Sequence, residues 1–264
     1  MRVALVITTY ERPDALAAVL ASITRQRVAP DEIVIADDGS GAETRAVAEQ
    51  FTRSSTVQTK LVTQSHEGFR VARLRNLAIA ATQLEYLVFV DGDMVLHPEF
   101  IADHIRVARR GCFTQGVRVL ADAALTRQLL SNPSLRVTWR TRGLGVRRRV
   151  YLLHSAACAA AARKIANSFT AIKSCNLAVW RDDLVRVNGF NEAFEGWGPE
   201  DKELAARLTN VGVHRQTLLF GGIACHLHHP PASRAALPAN LALLKAAKDA
   251  RHCRCERGLD AHLR

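Results

Sequence analysis

Two spacings of apolar residues alternate along the first third of the chain. Apolar runs at Arg2–Ile7, Glu32–Ala36 and Tyr86–Val90, with a more polar strand expected at Val57–Thr63, are separated by stretches in which apolar positions recur every three to four residues. Runs of this length read as strands buried on both faces, and the longer spacing reads as helices packed on one side. Helices are expected over Ala15–Thr24, Ala42–Phe51 and Val71–Thr82; the first has Asp14 as its N-cap and Leu16, Val19, Leu20 and Ile23 on its apolar face. Strands alternating with helices make βαβ units. The expected fold class is therefore α/β: a Rossmann-like, mostly parallel sheet flanked by helices.

Three of these strands run into acidic or hydroxyl residues. Thr8-Thr9-Tyr10-Glu11-Arg12-Pro13 follows the first, Asp37-Asp38-Gly39-Ser40 the second and Asp91-Gly92-Asp93 the fourth. Parallel strands bring such ends to one edge, where open α/β sheets bind ligands. Two carboxylates one residue apart cannot stay unpaired in a core, because isolated buried charge is very costly. Their hard oxygens suit Mg2+ or Mn2+, an ion of that kind suits a diphosphate, and Gly92 lets a ligand approach the backbone. Asp-Gly-Asp is also an ordinary strand-ending turn. The inference rests on the convergence of three strand ends.

Beyond this point a helix is expected over Pro98–Arg110 and a strand over Cys112–Val119. Ser134–Val150 holds six arginines (Arg136, Arg140, Arg142, Arg147, Arg148, Arg149) and no acidic residue. It reads as a mobile loop or helix pair over the active edge, or equally as a solvated basic face. Tyr151–Ala166 is Ala-rich and expected to be helical. Ile172–Trp180 reads as a strand with Asn176 embedded, and Arg181–Asn188 as a short helix ended by Gly189. In Phe194–Leu204 two glycines flank Trp197, Pro199 sits in the first turn of a helix, and Glu200 and Asp201 lie at that helix N-terminus, where carboxylates are favoured. Capping accounts for the acids but not for an exposed Trp between glycines, which suits a ring stacked on a sugar. After a strand at Val213–Phe220, the run His226-Leu227-His228-His229 puts three imidazoles in four residues, a metal-site pattern. Ala239–Arg251 reads as an amphipathic basic helix, with packing against the domain and docking on an anionic membrane as its two readings.

Composition narrows the partners. The 264 residues carry a net charge of +11, which calls for an anionic partner: nucleotide phosphates, nucleic acid or a membrane surface. Nucleic acid is disfavoured, since zinc-finger spacing, ribonucleoprotein aromatics and a basic region followed by heptads are all missing. No apolar run approaches the ~20 residues of a membrane-spanning helix, and the start reads as a strand rather than a signal peptide. Six scattered cysteines read as reduced thiols; Cys253 and Cys255 beside His252 lack the paired spacing of a metal site. The expected location is cytoplasmic, with peripheral contact at the inner face of a membrane as the further expectation.

In order and spacing, these motifs resemble nucleotide-sugar glycosyltransferases of the GT-A fold, family 2 type, over about Val3 to Pro231. Thr8–Arg12, Asp37–Ser40, Gly68-Phe69-Arg70 and Asp91–Asp93 are similar to the nucleotide-binding half. Asn188–Asn191 and Gly196–Asp201 are similar to the carboxyl-terminal region of galactosyl- and N-acetylgalactosaminyl-transferases, including bacterial chondroitin-type polymerases. The resemblance implies one domain over 1–231, with a nucleotide-sugar half at 1–119 and an acceptor half at 167–231, and a basic helical tail at 232–264. It implies that Thr8, Tyr10 and Arg12 line the nucleoside pocket, with Asp37 or Asp38 accepting from the base. Arg70 would approach the diphosphate, Asp91 hold the ribose side, and Asp93 and His226 bind Mn2+ or Mg2+, with His228 the next candidate. Asn176, Trp197 and Glu200 would bind substrate, and Asp201 would be the general base. Retaining relatives with a similar Trp-Gly motif carry Asn at the Asp201 position, so the Asp favours inversion. The implied partners are a UDP-sugar (Gal, GalNAc or Glc type) and a glycan or lipid-linked acceptor. A sugar-phosphate nucleotidyltransferase and an idle glycan-binding relative are the alternatives. The first usually carries a Gly-rich loop after its first strand, and Thr8–Pro13 has no Gly; the second has no need of a base.

Overall fold

A computed structural model describes residues 1–166, 168–169 and 172–263, without the side chains of Arg147 and Arg148. Asn167, at which the acceptor half was expected to open, and the two central arginines of the Arg-rich stretch thus lie outside the described residues or side chains. The first half reads β1 (Val3–Thr9), α1 (Pro13–Ile23), β2 (Glu32–Asp37), α2 (Ala42–Ser54), β3 (Gln58–Thr63), α3 (Val71–Ala80) and β4 (Tyr86–Asp91). β3, β2, β1 and β4 lie side by side and parallel. β1 and β2 are buried throughout, which is why both appear as unbroken apolar runs. The register sets Thr8 beside Asp91 and Thr9 beside Asp37, so the polar strand ends finish level at one edge.

The chain then makes β5 (Met94–Leu96), α4 (Phe100–Val107), β6 (Cys112–Gln115), β7 (Arg118–Leu120), α5 (Ala123–Ser131), α6 (Ala156–Ala161), β8 (Ile165–Ala166) and β9 (Asn176–Trp180). It continues through α7 (Arg181–Val187), α8 (Glu200–Asn210), β10 (His214–Thr217), β11 (Ala224–His226) and α9 (Leu237–Asp249). β9 runs antiparallel between β4 and β6, and β10 and β8 complete an eight-stranded sheet in the order β3-β2-β1-β4-β9-β6-β10-β8. A second sheet, β5-β11-β7, lies at the active edge. Its register pairs His226 with Met94, one residue from Asp93, and the Leu227 amide donates to the Asp93 carbonyl at 2.9 Å.

Several local expectations are corrected. Asp14 is not the N-cap of α1: the helix begins at Pro13, whose fixed φ and missing N–H suit a first position, and the Asp14 carboxylate accepts from the Ala15 amide instead. Cys112–Val119 is two strands in different sheets, broken at Gly116, where a Cβ would collide with the Asn176 amide. Tyr151–Ala166 is not one helix. It splits into a 3₁₀ segment, Val146–Leu153, the short α6 capped by Ser155, and β8, where pairing with β10 overrides the helical preference of the Ala-rich stretch. Ser134–Gly145 forms turns pinned by a bridge from Leu144 to Ala121, and Val146–Val150 opens the 3₁₀ segment, in place of a helix pair. The C-terminal stretch returns to the body of the protein: α9 lies against α8, and Leu259 is buried with Leu184, Val187 and Phe190.

Candidate active site

Two adjoining chambers open at the edge where the strands end. The first, of ≈ 370 Å³, is bounded by Thr8, Tyr10, Arg12, Asp38, Asp93 and His226. The second, of ≈ 400 Å³, is bounded by Lys173, Ser174, Glu200 and Asp201. Arg75, Asp91, Arg118 and Trp197 line both, so the chambers are two ends of one cleft.

Asp93 leaves β4 through the Gly92 turn, β11 delivers His226, and the chain past β11 delivers His229. One ligand atom from each of the three lies within 4.8 Å of the others. His229 Nε2 is 3.2 Å and His226 Nε2 3.6 Å from Asp93 Oδ2, with Arg12 Nη1 at 3.5 Å. Asp93 Oδ1 is buried without a hydrogen-bond partner among the described residues. Burial, and then Asp91, push the Asp93 carboxyl up to about 6, while burial, helped by Arg118 and His229, brings His226 down to about 4. A neutral imidazole and a carboxylate short of positive charge are the protonation states a divalent cation requires, so this donor set fits one. His228 is exposed and outside the cluster; its amide donates to Thr126 Oγ1 at 2.8 Å.

The other carboxylates gather around Arg75, a residue not singled out in the sequence. Its buried guanidinium donates to Glu200 Oε1 at 2.9 Å and to Asp91 Oδ1 at 3.2 Å, and lies over the Phe190 ring at 5.2 Å. It ties α3 to the start of α8. Thr8 Oγ1 also donates to Asp91 Oδ1, at 3.1 Å. Asp201, one residue into α8, faces the second chamber and accepts from the Ser174 amide at 3.3 Å. Burial, then the charge of Asp201, raise Glu200 to about 7 against the pull of Arg75. Burial also raises Asp201, opposed by Arg75 and Lys173. The Trp197 indole is partly exposed between Gly196 and Gly198 and walls both chambers, with Arg234 over the ring at 5.1 Å.

The remaining candidates separate. Asp38 borders the first chamber and accepts from Gln64 Nε2 at 2.5 Å. Asp37 is spent on the turn that follows it, accepting from the Ser40 amide and hydroxyl. Tyr10 stacks on His66 at 4.1 Å, forming one wall. Arg70 lies outside both chambers: it pairs with Glu67 at 2.9 Å and donates to the Ser65 carbonyl at 2.7 Å. Asn176, expected to touch substrate, is 1% exposed and its amide is fully engaged. Its Oδ1 accepts from His104 Nε2 at 3.0 Å, and its Nδ2 donates to the carbonyls of Val117 (2.8 Å) and Gly222 (2.7 Å). Asn176 is thus a structural tie between the two sheets. Asn176→Ala strands three buried polar groups and is expected to cost about 3 kcal/mol or more of stability. Urea unfolding measures this, and a loss below about 1 kcal/mol would contradict the role.

Two sequence profiles match the chain. Glycosyl transferase family 2 covers residues 4–168, so the chain belongs to that family; the N-terminal domain of galactosyltransferase covers residues 154–230. Among curated relatives the chain is similar to the chondroitin synthase of Escherichia coli, with 24% identity over 254 residues, 86% of this chain and 34% of that protein. It is also similar to the hyaluronan synthase of Pasteurella multocida (23%; 86% of this chain, 24% of the other). A third relative is the validoxylamine A glucosyltransferase of Streptomyces hygroscopicus subsp. limoneus (27%; 79% and 48%). The chain thus spans a quarter to a half of the length of these relatives. Among solved structures it resembles Pyrobaculum calidifontis mannosyltransferase with GDP-Man and Mn2+ (TM-score 0.60, 17% identity, 95% of this chain and 62% of the other). It also resembles residues 1–349 of S. aureus TarS with UDP (TM-score 0.65, 14% identity, 99% and 68%). These likenesses establish the GT-A type of fold. No helix among the described residues is long and apolar enough to cross a membrane.

Proposed function

We propose that this protein is an inverting, divalent-cation-dependent hexosyltransferase that moves Gal, GalNAc or Glc from a UDP-sugar to a glycan or lipid-linked acceptor. The carrying observation is the cleft itself: the Asp93, His226 and His229 cluster borders one chamber, Asp201 borders the next, and Trp197 walls both. In this reading residues 1–119 supply the donor side and 167–231 the acceptor side. Thr8, Tyr10 and Asp38 seat the nucleoside, and Arg12 and Arg118 face the diphosphate. Asp93, His226 and His229 hold the cation; two imidazoles beside one carboxylate favour Mn2+ over Mg2+, which prefers oxygen ligands. Bound there, the cation acts as a Lewis acid that neutralises charge on the leaving diphosphate.

The chain's own groups do the rest. Trp197 offers a flat face to a sugar ring. Asp201 takes the proton from the acceptor hydroxyl as its oxygen attacks the anomeric carbon from the side opposite the diphosphate. Displacement from that side inverts the anomeric configuration. Glu200, held by Arg75, sets the charge beside Asp201 and borders the acceptor chamber.

Purified protein with Mn2+ is expected to release UDP from at least one of UDP-Gal, UDP-GalNAc and UDP-Glc when acceptor is supplied. Pyrophosphate release from nucleoside triphosphate and sugar phosphate, without UDP release, would overturn the reading in favour of a nucleotidyltransferase. A base works only when deprotonated, and burial raises the Asp201 and Glu200 carboxyls. The acid limb of kcat against pH is therefore expected above the ordinary carboxylate value. A limb at the ordinary carboxylate value would contradict a buried base.

A further inference from the structure

The chain's net charge is concentrated in one segment. The 59 residues from Ala123 to Arg181 hold nine Arg and two Lys and no Asp or Glu, which equals the entire net charge of +11. The other 205 residues carry 25 basic and 25 acidic groups. Between positions 139 and 153 of this segment, four large apolar side chains face solvent: Trp139 (44% exposed), Val146 (84%), Val150 (50%) and Leu153 (48%). Apolar residues scattered singly over a surface need no explanation, but four within fifteen residues and flanked by arginines do.

The backbone presents them as a set. In the 3₁₀ segment Val146–Leu153, Leu152 is buried with Leu125, Leu129 and Leu144, and Tyr151 meets Phe220 edge-on at 5.3 Å. One side of the segment is anchored in the protein while Val146, Val150 and Leu153 are left in water. Arg149 Nη2 fastens the preceding turn by donating to the Thr141 carbonyl at 2.5 Å, and Arg140 lies over the Trp139 ring at 4.9 Å. The turn is tied to β7 as well, since the Gly145 amide donates to the Leu120 carbonyl at 2.9 Å. β7 also carries Arg118 into the cleft.

We propose that the face formed by Trp139, Val146, Val150 and Leu153, with the exposed Arg140 and Arg142 in the adjoining turn, is a docking surface for an anionic lipid bilayer. Stable attachment at a bilayer surface takes two signals, apolar insertion and attraction of basic residues to anionic headgroups, and this face holds both. A soluble polyanion would use the arginines and leave the exposed valines and leucine without a role. An exposed Trp139 with Arg140 over its ring matches the preference of indole for the headgroup region. The tail helix α9 offers less: within it Leu241 is the large apolar side chain that stands exposed. Docking through this face would hold the cleft beside the bilayer, and it is independent of which sugar is transferred.

The test is sedimentation of the full chain with vesicles of phosphatidylcholine alone and of phosphatidylcholine mixed with phosphatidylglycerol. The wild type is expected to bind the anionic vesicles at least ~10-fold better, with Trp fluorescence shifting to shorter wavelength on binding. The triple variant Val146→Ser, Val150→Ser, Leu153→Ser keeps every charge and every residue of the cleft. It is expected to lose about tenfold in vesicle binding while retaining wild-type affinity for UDP and for heparin. Equal binding to both vesicle types, or full vesicle binding by the triple variant, would overturn the proposal. Heparin binding that falls with the apolar substitutions would instead assign the face to a polyanionic glycan. The UDP measurement reports separately on the donor site, so failure of that site and failure of the docking face read differently.

Discussion

Asp201→Asn lowers kcat by about 10²- to 10⁴-fold and leaves UDP affinity nearly unchanged, because the substitution removes a proton acceptor while keeping the shape of the side chain. The Asn oxygen can still accept from the Ser174 amide, so the start of α8 is preserved. The nucleotide chamber is bounded by other residues, which is why donor binding survives. UDP release at saturating donor and acceptor, alongside calorimetric titration with UDP, separates the two quantities. A kcat within tenfold of wild type would place the base elsewhere in the cleft.

Arg75→Met carries the second large effect, and here it is on stability. Removing the guanidinium leaves Asp91 and the buried Glu200 facing each other without their shared counter-charge. Breaking a buried pair at one partner typically costs about 3–5 kcal/mol, and a cost near the lower figure is expected because Asp91 is partly solvated. The deficit depends on pH with a definite sign. Glu200 already titrates at about 7 in the folded protein, above its ordinary value, so the fold favours its neutral form and that contribution is lost as pH rises through about 7. Without Arg75 the preference for the neutral form strengthens. The loss in urea unfolding is therefore expected to be small at acidic pH and to grow toward alkaline pH. A deficit independent of pH would mean that Arg75 acts through packing on Phe190 rather than through charge.

The first half of the fold was readable because parallel strands covered on both sides appear as unbroken apolar runs; β1, β2 and β4 fall within about two residues of the expected bounds. The positions of Asp93 after a strand end and of Asp201 at a helix start were legible for a related reason, since their neighbours fix those ends, whereas the individual roles assigned to them came from the resemblance alone. The choice among the histidines was not. Alternation along a strand would put His226 and His228 on one face, but β11 ends at His226 and the turn toward Pro230 swings His229 inward instead. The resemblance put Arg70 at the diphosphate, but its side chain is held outside both chambers by Glu67 and the Ser65 carbonyl. The guanidinium that α3 does bring into the cleft is that of Arg75, on the inner face of the helix, where it pairs with Glu200 and Asp91; its sequence signal was a charge between the apolar positions Ala72, Leu74 and Ile79. Asn176 shows the converse: a polar residue inside an apolar strand looks the same in sequence whether it meets a ligand or ties two sheets together.

The central claim is that Asp93, His226 and His229 hold a cation at one end of the cleft that Asp201 lines at the other. Anomalous diffraction from crystals grown with Mn2+ and UDP tests it most directly. The account predicts one manganese peak bounded by those three side chains and the diphosphate, with the β-phosphate on the side of the cleft that leads to Asp201. A peak coordinated elsewhere, or UDP bound with its diphosphate away from Asp93, would contradict it.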